Sequence, residues 1–541
     1  MTALAARRSI RILSILALVV GSVSCQRPES DVEKGNRLQI LHKGNGKEVQ
    51  DLDPHIVNSV SSFNVISALL EGLVSEDPRD LHPVPGVAER WEISPDAKTY
   101  TFYLRPDAKW SNGDALTATD FVESYRRILS PALASDVAYM LYPVVNAEAF
   151  NKGKISNFQE VGFQLLDDRT LSIQLTNPTP YFLSLLNHYS WFPVHIPTVR
   201  KHGPVFERGS RWTLPKRFVG NGPFTLEQWR INDVIRVKKN PTYWDSGSVG
   251  LNEIVFHTID SADVEERAFR SGQLHVTDGI PLNRIDRYRR EKPDLLRIDP
   301  YLGSYFFRVN TTRPPLNNRL VRRALAMAID RKAIVENVTR GGQLPAGSFT
   351  PPNTAGYTPE ASIPYDVDLA RKSLAEAGFP QGRGFPSIEI LFNTSESHKV
   401  IAEAVQQMWR QNIGVNATLV NQEEKVYFDS RRQMNYQVIR STWIGDYNDP
   451  NSFLDIWLTG GDNNQTGWSN PEYDRLIGEA AATVDSAARF NAFQRAEAIL
   501  IDEAPVLPVY FYTHAFLIRP EVKSWYPTIL DHHPYKYVRL E

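Results

Sequence analysis

The stretch TYTFYLRPDAKWSNGDALTATDF, residues 99–121, carries the local signals of a strand, a turn and the start of a helix. Its first six residues are mostly β-branched or aromatic, which predicts a strand over 99–104. The residues Thr117-Ala118-Thr119-Asp120 resemble a capping box, in which a hydroxyl side chain and a later acid satisfy the first free amide groups of a helix. The apolar residues that follow fall on one helical face: Phe121, Val122, Tyr125, Ile128 and Leu129.

The same alternation of strands and helices continues along the chain. Helices are predicted over 366–377 and 398–413, each followed by a glycine suited to a left-handed helix end, and after the Asn470-Pro471 cap. No unit repeats at a fixed period, which argues against solenoids and propellers. The pattern favours an α/β fold with parallel or mixed sheets covered by helices. The other predicted strands are 170–175, 234–237, 253–259, 305–309, 387–392, 415–420, 437–443 and 506–518.

The composition is that of a large globular protein. The chain has 541 residues, a length that corresponds to about three domains or two large lobes. Of these residues 42% are hydrophobic. Its 60 Lys and Arg residues nearly balance 62 Asp and Glu residues, so the net charge is −2. A nucleic-acid-binding domain would be strongly basic, and we therefore expect no nucleic-acid partner.

The N-terminus predicts export. Arg7, Arg8 and Arg11 precede a short apolar run over 12–20, which is too short to span a bilayer but fits a secretory signal. Cys25 is the single cysteine of the chain, and Ser22-Val23-Ser24-Cys25 resembles the lipobox of bacterial lipoproteins, with serine where leucine is usual. We predict a signal peptide over 1–24, lipidation of Cys25 and a lipid-anchored tether over 25–37. The alternative is an ordinary signal with an incidental cysteine.

The sequence shows none of the compact motifs of common enzymes. HExxH, GxSxG, the P-loop and a GxGxxG after a strand are all absent. Because the only cysteine is Cys25, which is expected to carry lipid, thiol catalysis and thiolate metal sites are excluded. His532 and His533 are adjacent, and neighbours on a strand point to opposite faces, so they do not predict a metal site. We expect a binding protein without cofactor, although a glycosidase pair of acids is not excluded by counting.

The residues 86–91 (GVAERW) together with 99–121 resemble the signature of solute-binding family 5, the peptide-binding receptors of bacterial ABC importers. Further stretches resemble their counterparts in the same order along the chain, which makes the set far more specific than any one of them. They are LDPH (52–55), EGL (71–73), NGPFTLEQW (221–229), NPTYWD (240–245), DPYLGSYFF (299–307), ALAMAIDR (324–331), FTPP (349–352), LAEAGF (374–379), FNTSESHK (392–399), IGVNATLVNQE (413–423), GDYNDPNSFL (445–454) and VLPVYFY (506–512).

The resemblance implies a two-lobed periplasmic-binding-protein fold of type II with an extra domain, and a ligand cleft between the lobes. Lobe one would comprise 38–70, 201–302 and 513–541, with the extra domain at 71–200 and lobe two at 303–512. The implied function is an extracytoplasmic receptor, periplasmic or at the cell surface, that captures short peptides and delivers them to an ABC importer. Its implied partners are the permease and ATPase subunits of the importer, and the receptor itself is expected to be a monomer.

The resemblance also implies where a peptide would bind. Asp446, in GDYNDP, matches an aspartate that pairs with the peptide α-ammonium, although an aspartate in such a turn can instead cap backbone N–H groups. Arg440 and His398 match residues that can meet the peptide carboxylate, which a guanidinium binds through two parallel hydrogen bonds. Their alternatives are a solvated strand arginine and a surface histidine at a helix start. Matches for the pocket lining, with core packing as the alternative for the tryptophan, are Trp443, Tyr301 and Tyr512.

The chain departs from the family pattern at several matched positions. Thr339 stands where close relatives carry a lysine, and Arg308 and Asn58 stand where pocket acids are expected. Gly303 and Ile444 occupy the positions of a disulfide found in some relatives. These departures leave open a receptor of the same family for another ligand, such as a murein peptide or a metal complex. An exported hydrolase of peptides or glycans is the alternative from another class.

Overall fold

The computed structural model describes residues 28–541. Three sheets organise the fold: β1-β10-β9-β8, the antiparallel β4-β5-β7-β6, and the mixed β12-β16-β11-β15-β13-β14. The strands are β1 (Ile40–Gly44), β2 (Val74–Glu76), β3 (Pro83–Pro85), β4 (Ala88–Ile93), β5 (Thr99–Leu104), β6 (Phe163–Asp167), β7 (Thr170–Gln174), β8 (Phe224–Arg230), β9 (Val234–Lys239), β10 (Glu253–His257), β11 (Leu296–Val309), β12 (Leu344–Pro345), β13 (Ile388–Asn393), β14 (Ala417–Gln422), β15 (Val438–Ile444), β16 (Val506–Leu517), β17 (Val522–Lys523) and β18 (Arg539–Leu540).

Helices cover these sheets. They are α1 (Asp31–Leu38), α2 (Val60–Leu69), α3 (Ala118–Ile128), α4 (Ala147–Asn151), α5 (Phe182–Leu185), α6 (Ile196–His202), α7 (Ala262–Arg270), α8 (Leu282–Glu291), α9 (Arg319–Met327), α10 (Arg331–Ala333), α11 (Val367–Glu376), α12 (Glu396–Ile413), α13 (Glu424–Arg432), α14 (Asn451–Leu454), α15 (Pro471–Ala482) and α16 (Ser486–Glu503). Within residues 28–541, none of them combines the length and the apolar character needed to cross a membrane.

The local signals of the sequence are confirmed where they were strongest. The strand predicted over 99–104 is β5, and helix α3 begins after Thr117, whose backbone N–H donates to the Asp120 carboxylate at 2.8 Å. Helix α12 ends at Gly414, which has φ of 72°, a conformation that glycine adopts without steric cost. Each predicted strand corresponds to an observed one, with ends displaced by a few residues or, for β11, by nine.

The structure corrects the predicted tether. Its last residues, 31–37, belong to helix α1, and Val32 of that helix is buried. The Ser30 backbone N–H donates to the Glu33 carboxylate at 2.7 Å, and the Glu33 N–H donates back to the Ser30 hydroxyl at 3.2 Å. This capping box satisfies two of the first free amide groups of the helix, so the folded body begins near Ser30 rather than at residue 38. The signal peptide over 1–24 and Cys25 lie outside the described residues.

Two long antiparallel strands join two separate hydrophobic cores. Strand β11 has 14 residues and β16 has 12. Their pairing begins with Leu296 opposite Leu517 and ends with Arg308 opposite Val506, and the register is interrupted between Pro300 and Ser304. One core gathers residues of β1, β10 and segment 71–200, and the other gathers residues mainly between 302 and 510. The predicted lobe boundaries at 302/303 and 512/513 stay a prediction, and the interruption in the register lies close to the first of them.

Candidate functional site

A cavity of about 360 Å³ lies beside the paired long strands. Three of the predicted site residues line it, namely Tyr301, His398 and Tyr512, and so does Thr339. Its walls come from both sides of the fold, because residues near β1 and between 276 and 285 face residues of the 303–512 segment. The remaining wall is formed by Trp525, Asp531 and His533 near the C-terminus.

Unpaired polar atoms surround this cavity. The Nδ1 atoms of His398 and His533 and the Nε1 atom of Trp525 are inaccessible to solvent and have no hydrogen-bond partner among the described residues. Buried polar atoms in folded proteins are normally paired, since leaving one unpaired forfeits the hydrogen bonds it made with water. The residues that line the cavity therefore include three whose unpaired polar atoms are closed off from solvent.

Asp446 follows β15, the strand that pairs with β11 next to the cavity. Its carboxylate accepts a hydrogen bond at 3.2 Å from the hydroxyl of Tyr139, a residue of segment 71–200. Its own N–H donates to the Ser452 hydroxyl at 2.9 Å. Burial raises the pKa of Asp446 to about 7, because an environment that excludes water disfavours the charged form. Within the part of the chain that the structure describes, no cation lies within 4.0 Å of this carboxylate.

The capping interpretation of this turn applies to a different aspartate. Asp449, three residues on, accepts the backbone N–H of Asn451 at 2.9 Å and forms a two-pronged ion pair with Arg489 at 2.6 and 2.9 Å. Asp446 accepts no backbone N–H among residues 28–541. Its carboxylate is therefore free of the structural task that a turn would give it.

Arg440 is buried in β15 and is 7% exposed. Its guanidinium donates to two neutral oxygens, the Asn393 amide oxygen at 3.4 Å and the Tyr512 hydroxyl at 3.2 Å, and lies 4.9 Å from the centre of the Tyr305 ring. Its Nε atom has no partner, and no carboxylate lies within ion-pair distance among the described residues. A buried cation without an anion is unfavourable, so an anion placed beside this guanidinium would stabilise it. The interpretation as a solvated strand arginine is wrong.

His398 lies in the first turn of α12, beside Arg440. Burial, together with the positive charges of Arg440 and Lys47, lowers the pKa of His398 to about 2, so the imidazole is neutral. Its ring centre is 5.8 Å from that of Tyr305. A neutral imidazole can offer one N–H to a carboxylate without adding a second buried charge.

The aromatic candidates differ in what they contact. Tyr512 carries the hydroxyl that receives the Arg440 hydrogen bond, and its ring meets that of Tyr301 edge-on, with centres 6.3 Å apart. Trp443 donates its indole N–H to the Ser452 carbonyl at 2.5 Å and packs against the second core. Tyr301 and Tyr512 therefore lie at the cavity, whereas Trp443 supports the turn that carries Asp446.

The departures from the family pattern lie in different surroundings. Arg308 is buried and donates to the carbonyls of Asn463 and Asn464 at 2.7 and 2.6 Å, so it serves the fold and does not line the cavity. Asn58 is exposed. Thr339 lines the cavity and donates to the Gln343 amide oxygen at 2.9 Å. Gly303 and Ile444 are directly paired across β11 and β15.

Sequence reasoning missed the contribution of segment 71–200. Tyr139 and Tyr181 reach the turn at 445–455 from this segment, through Asp446 and Tyr447 respectively. Neither tyrosine stands in a motif that predicts binding. Only the fold brings them within reach of a turn some 300 residues away, so no local signal could have identified them.

The family model of bacterial extracellular solute-binding proteins, family 5, matches residues 82–465. The periplasmic oligopeptide-binding protein OppA of Escherichia coli K12 is 37% identical over 532 residues, covering 96% of each chain. OppA of Haemophilus influenzae, solved in complex with the peptide RPPGFSPFR, superposes with a TM-score of 0.84 at 35% identity, covering 93% of this chain and 99% of that one. The chain belongs to family 5 of the bacterial extracellular solute-binding proteins. The predicted type II fold is confirmed.

One solved relative also reports on the arrangement of the lobes. The murein tripeptide-binding protein MppA of Escherichia coli gives a TM-score of 0.85, whereas its unliganded open form gives 0.71. Both comparisons have 35% identity and cover 93% of this chain, and 98% and 97% of the two MppA chains respectively. At equal identity and nearly equal coverage, this structure therefore resembles the open form less than it resembles the other MppA structure.

Proposed function

We propose that this chain is an extracytoplasmic receptor that captures short peptides between two lobes and delivers them to an ABC importer. The observation that carries the proposal is that two groups of opposite charge, one acidic and one basic, each lack an ion-pair partner among the described residues. The half-buried Asp446 carboxylate has no cation within 4.0 Å, and the buried Arg440 guanidinium has no anion within that distance among the described residues. A peptide has an ammonium group at one end and a carboxylate at the other.

The spacing of the two residues suits such a ligand. Six positions separate them along the chain, from β15 into the turn that follows it, so their Cα atoms are at most about 20 Å apart at roughly 3.3 Å per residue. An extended peptide of a few residues can bridge that distance. In this proposal Asp446 binds the α-ammonium, Arg440 and the neutral His398 bind the carboxylate, and Tyr301 and Tyr512 line the peptide path. Trp443 contributes by holding the turn.

The remaining parts of the proposal follow from the family. The permease and ATPase subunits of an importer are the partners, and the receptor acts as a monomer without a cofactor or catalysis. Lobe one comprises helix α1 together with 38–70, 201–302 and 513–541, lobe two comprises 303–512, and the extra domain lies at 71–200. Residues 1–24 direct export and are then removed, and Cys25 carries lipid. Cys25→Ser should move the protein from the membrane fraction to the soluble one, because stable anchoring needs acyl chains.

Mass spectrometry of the ligand that co-purifies with the mature protein tests the function. A receptor retains intact peptides in about a 1:1 ratio and releases them unchanged on denaturation. Cleaved products and continued turnover of added peptide would instead support an exported hydrolase. A retained metal complex without peptide would contradict the proposed ligand class.

A further inference from the structure

The turn at 445–455 makes a second contact with segment 71–200, separate from the bond between Tyr139 and Asp446. The ring of Tyr181 stacks on that of Tyr447, with centres 4.5 Å apart and planes inclined by 10°. Tyr447 belongs to segment 303–512, yet it is only 5% exposed and packs within the first core, among residues of segment 71–200. This side chain therefore crosses from one side of the cleft to the other.

Polar contacts fix the stacked pair in place. The Asn451 amide N–H₂ donates to the hydroxyls of Tyr181 and Tyr447, each at 3.0 Å. The Arg489 guanidinium, held by Asp449, lies 5.4 Å from the centre of the Tyr181 ring. Burial raises the pKa of both phenols, so they stay neutral and keep their hydrogen bonds at physiological pH.

This contact depends on the closed arrangement. Tyr181 lies in segment 71–200, whereas Tyr447, Asn451 and Arg489 all lie in segment 303–512. Moving the two segments apart breaks the stack and exposes both rings to water. The same turn carries Asp446 one residue before Tyr447, so docking of Tyr181 also fixes the place of the carboxylate.

We infer that Tyr181 is a positioning residue of the peptide site: it locks the turn at 445–455 and favours the closed receptor without touching the peptide. The inference rests on the proposed function, since it assigns Tyr181 a part in peptide capture. When only the closed form holds ligand tightly, the apparent dissociation constant rises as the closed fraction falls. Loss of the contact must therefore weaken all peptides by one common factor, whatever their length or side chains.

A series of substitutions measures that factor. A stacked aromatic pair contributes enough free energy to the closed receptor that Tyr181→Ala should weaken peptide binding about tenfold. Tyr181→Phe keeps the stack and loses only the hydroxyl, so it should restore most of the affinity and show a loss of about threefold. Calorimetry with trialanine, trilysine and pentaalanine provides three ligands that differ in length and charge, and the ratio to wild type should be the same for each.

Two control variants separate this effect from general damage. Glu424→Gln removes an exposed ion pair across the cleft, between Lys47 and Glu424, whose side chains are 52% and 40% exposed. Exposed ion pairs contribute little to stability, so this variant should bind peptide with an affinity within about twofold of wild type. Tyr103→Ala removes an aromatic ring of segment 71–200 that packs under Arg90, and it controls for loss of a tyrosine from that segment.

Small-angle scattering gives a readout that does not require a known peptide. Ligand-free Tyr181→Ala should have a larger radius of gyration than ligand-free wild type, and saturating peptide should return it to the wild-type value. Equal radii, peptide affinities within twofold of wild type, or losses that differ among the three peptides would each overturn the inference. Failure of wild type to bind any peptide would instead refute the proposed function, while the ligand-free comparison would still test the contact.

Discussion

Asp446 is the residue on which the proposed peptide site depends most. Asp446→Asn keeps the size of the side chain but removes the charge that would pair with the α-ammonium. Leaving a buried charge without its partner costs roughly 3–5 kcal/mol, so affinity for free peptides should fall by about two to three orders of magnitude. Calorimetry should show that N-acetylation of the peptide weakens binding strongly in wild type and much less in the variant. Binding of free peptide by Asp446→Asn within threefold of wild type would refute this role, and Asp462→Asn, at an exposed position, is the matched control.

The raised pKa of Asp446, about 7, predicts a pH dependence of binding. An ammonium ligand favours the ionised carboxylate, so peptide binding near neutral pH releases a proton, and affinity falls as pH decreases from 8 to 5. Well below pH 7 the loss should approach about one decade per pH unit. Asp455, whose pKa is raised to about 8 by burial and by Asp446 and Asp449, lies close by. Asp446→Asn therefore serves to isolate the contribution of Asp446, and a pH profile unchanged by that substitution would contradict the assignment.

Arg440 should show opposite effects on binding and on stability. Arg440→Met removes a buried charge that has no anionic partner among residues 28–541, which is neutral or stabilising for a ligand-free protein. The same change removes the group proposed to bind the peptide carboxylate. We expect an unchanged or higher melting temperature without ligand and at least tenfold weaker binding of free peptides. C-terminally amidated peptides should bind wild type and variant with equal affinity. A variant that unfolds more easily but binds free peptides normally would show that Arg440 serves the fold and not the ligand.

At the scale of elements, helix α1 offers a test of where the folded body begins. Its capping box uses the Ser30 hydroxyl and the Glu33 carboxylate, and its Val32 N–H donates to the Gly272 carbonyl at 3.0 Å. Ser30→Ala should cost about 1 kcal/mol of helix stability. Hydrogen exchange of the amides at 31–38 should accelerate about fivefold, with β1 unaffected. Exchange that is already unprotected in wild type would support the tether that the sequence predicted.

The elements were predictable where their signals are local. Capping residues and terminal glycines identified α3, α11 and α12, and β-branched and aromatic residues identified β5. Only 305–309 of β11 was predicted, because Pro300 and Gly303 interrupt an apolar run, yet the strand continues through them from Leu296 with an irregular register. Strand β1 was missed because His42 and Lys43, which are polar, are buried in it.

At the scale of the whole molecule, the fold was predicted by the stretches that resemble the family and occur in its order. The contacts across the cleft could not be predicted from a single sequence. The hydrogen bond from Tyr139 to Asp446 and the stack of Tyr181 on Tyr447 join residues more than 250 positions apart. Local sequence offered two interpretations of Asp446, and the structure separates them because Asp449, not Asp446, accepts a backbone N–H in that turn. Binding itself stays a prediction from these geometries.

Isothermal titration calorimetry of the mature protein, freed of co-purified ligand, with peptides of two to five residues tests the central claim most directly. The account predicts 1:1 binding of at least one free peptide, strong weakening of that binding when the amino terminus is acetylated or the carboxyl terminus amidated, and recovery of the peptide intact. At peptide concentrations 100-fold above the dissociation constant, the folded protein should gain roughly 2.7 kcal/mol of stability. Absence of binding by every peptide, or affinity indifferent to blocking of both ends, would contradict the account.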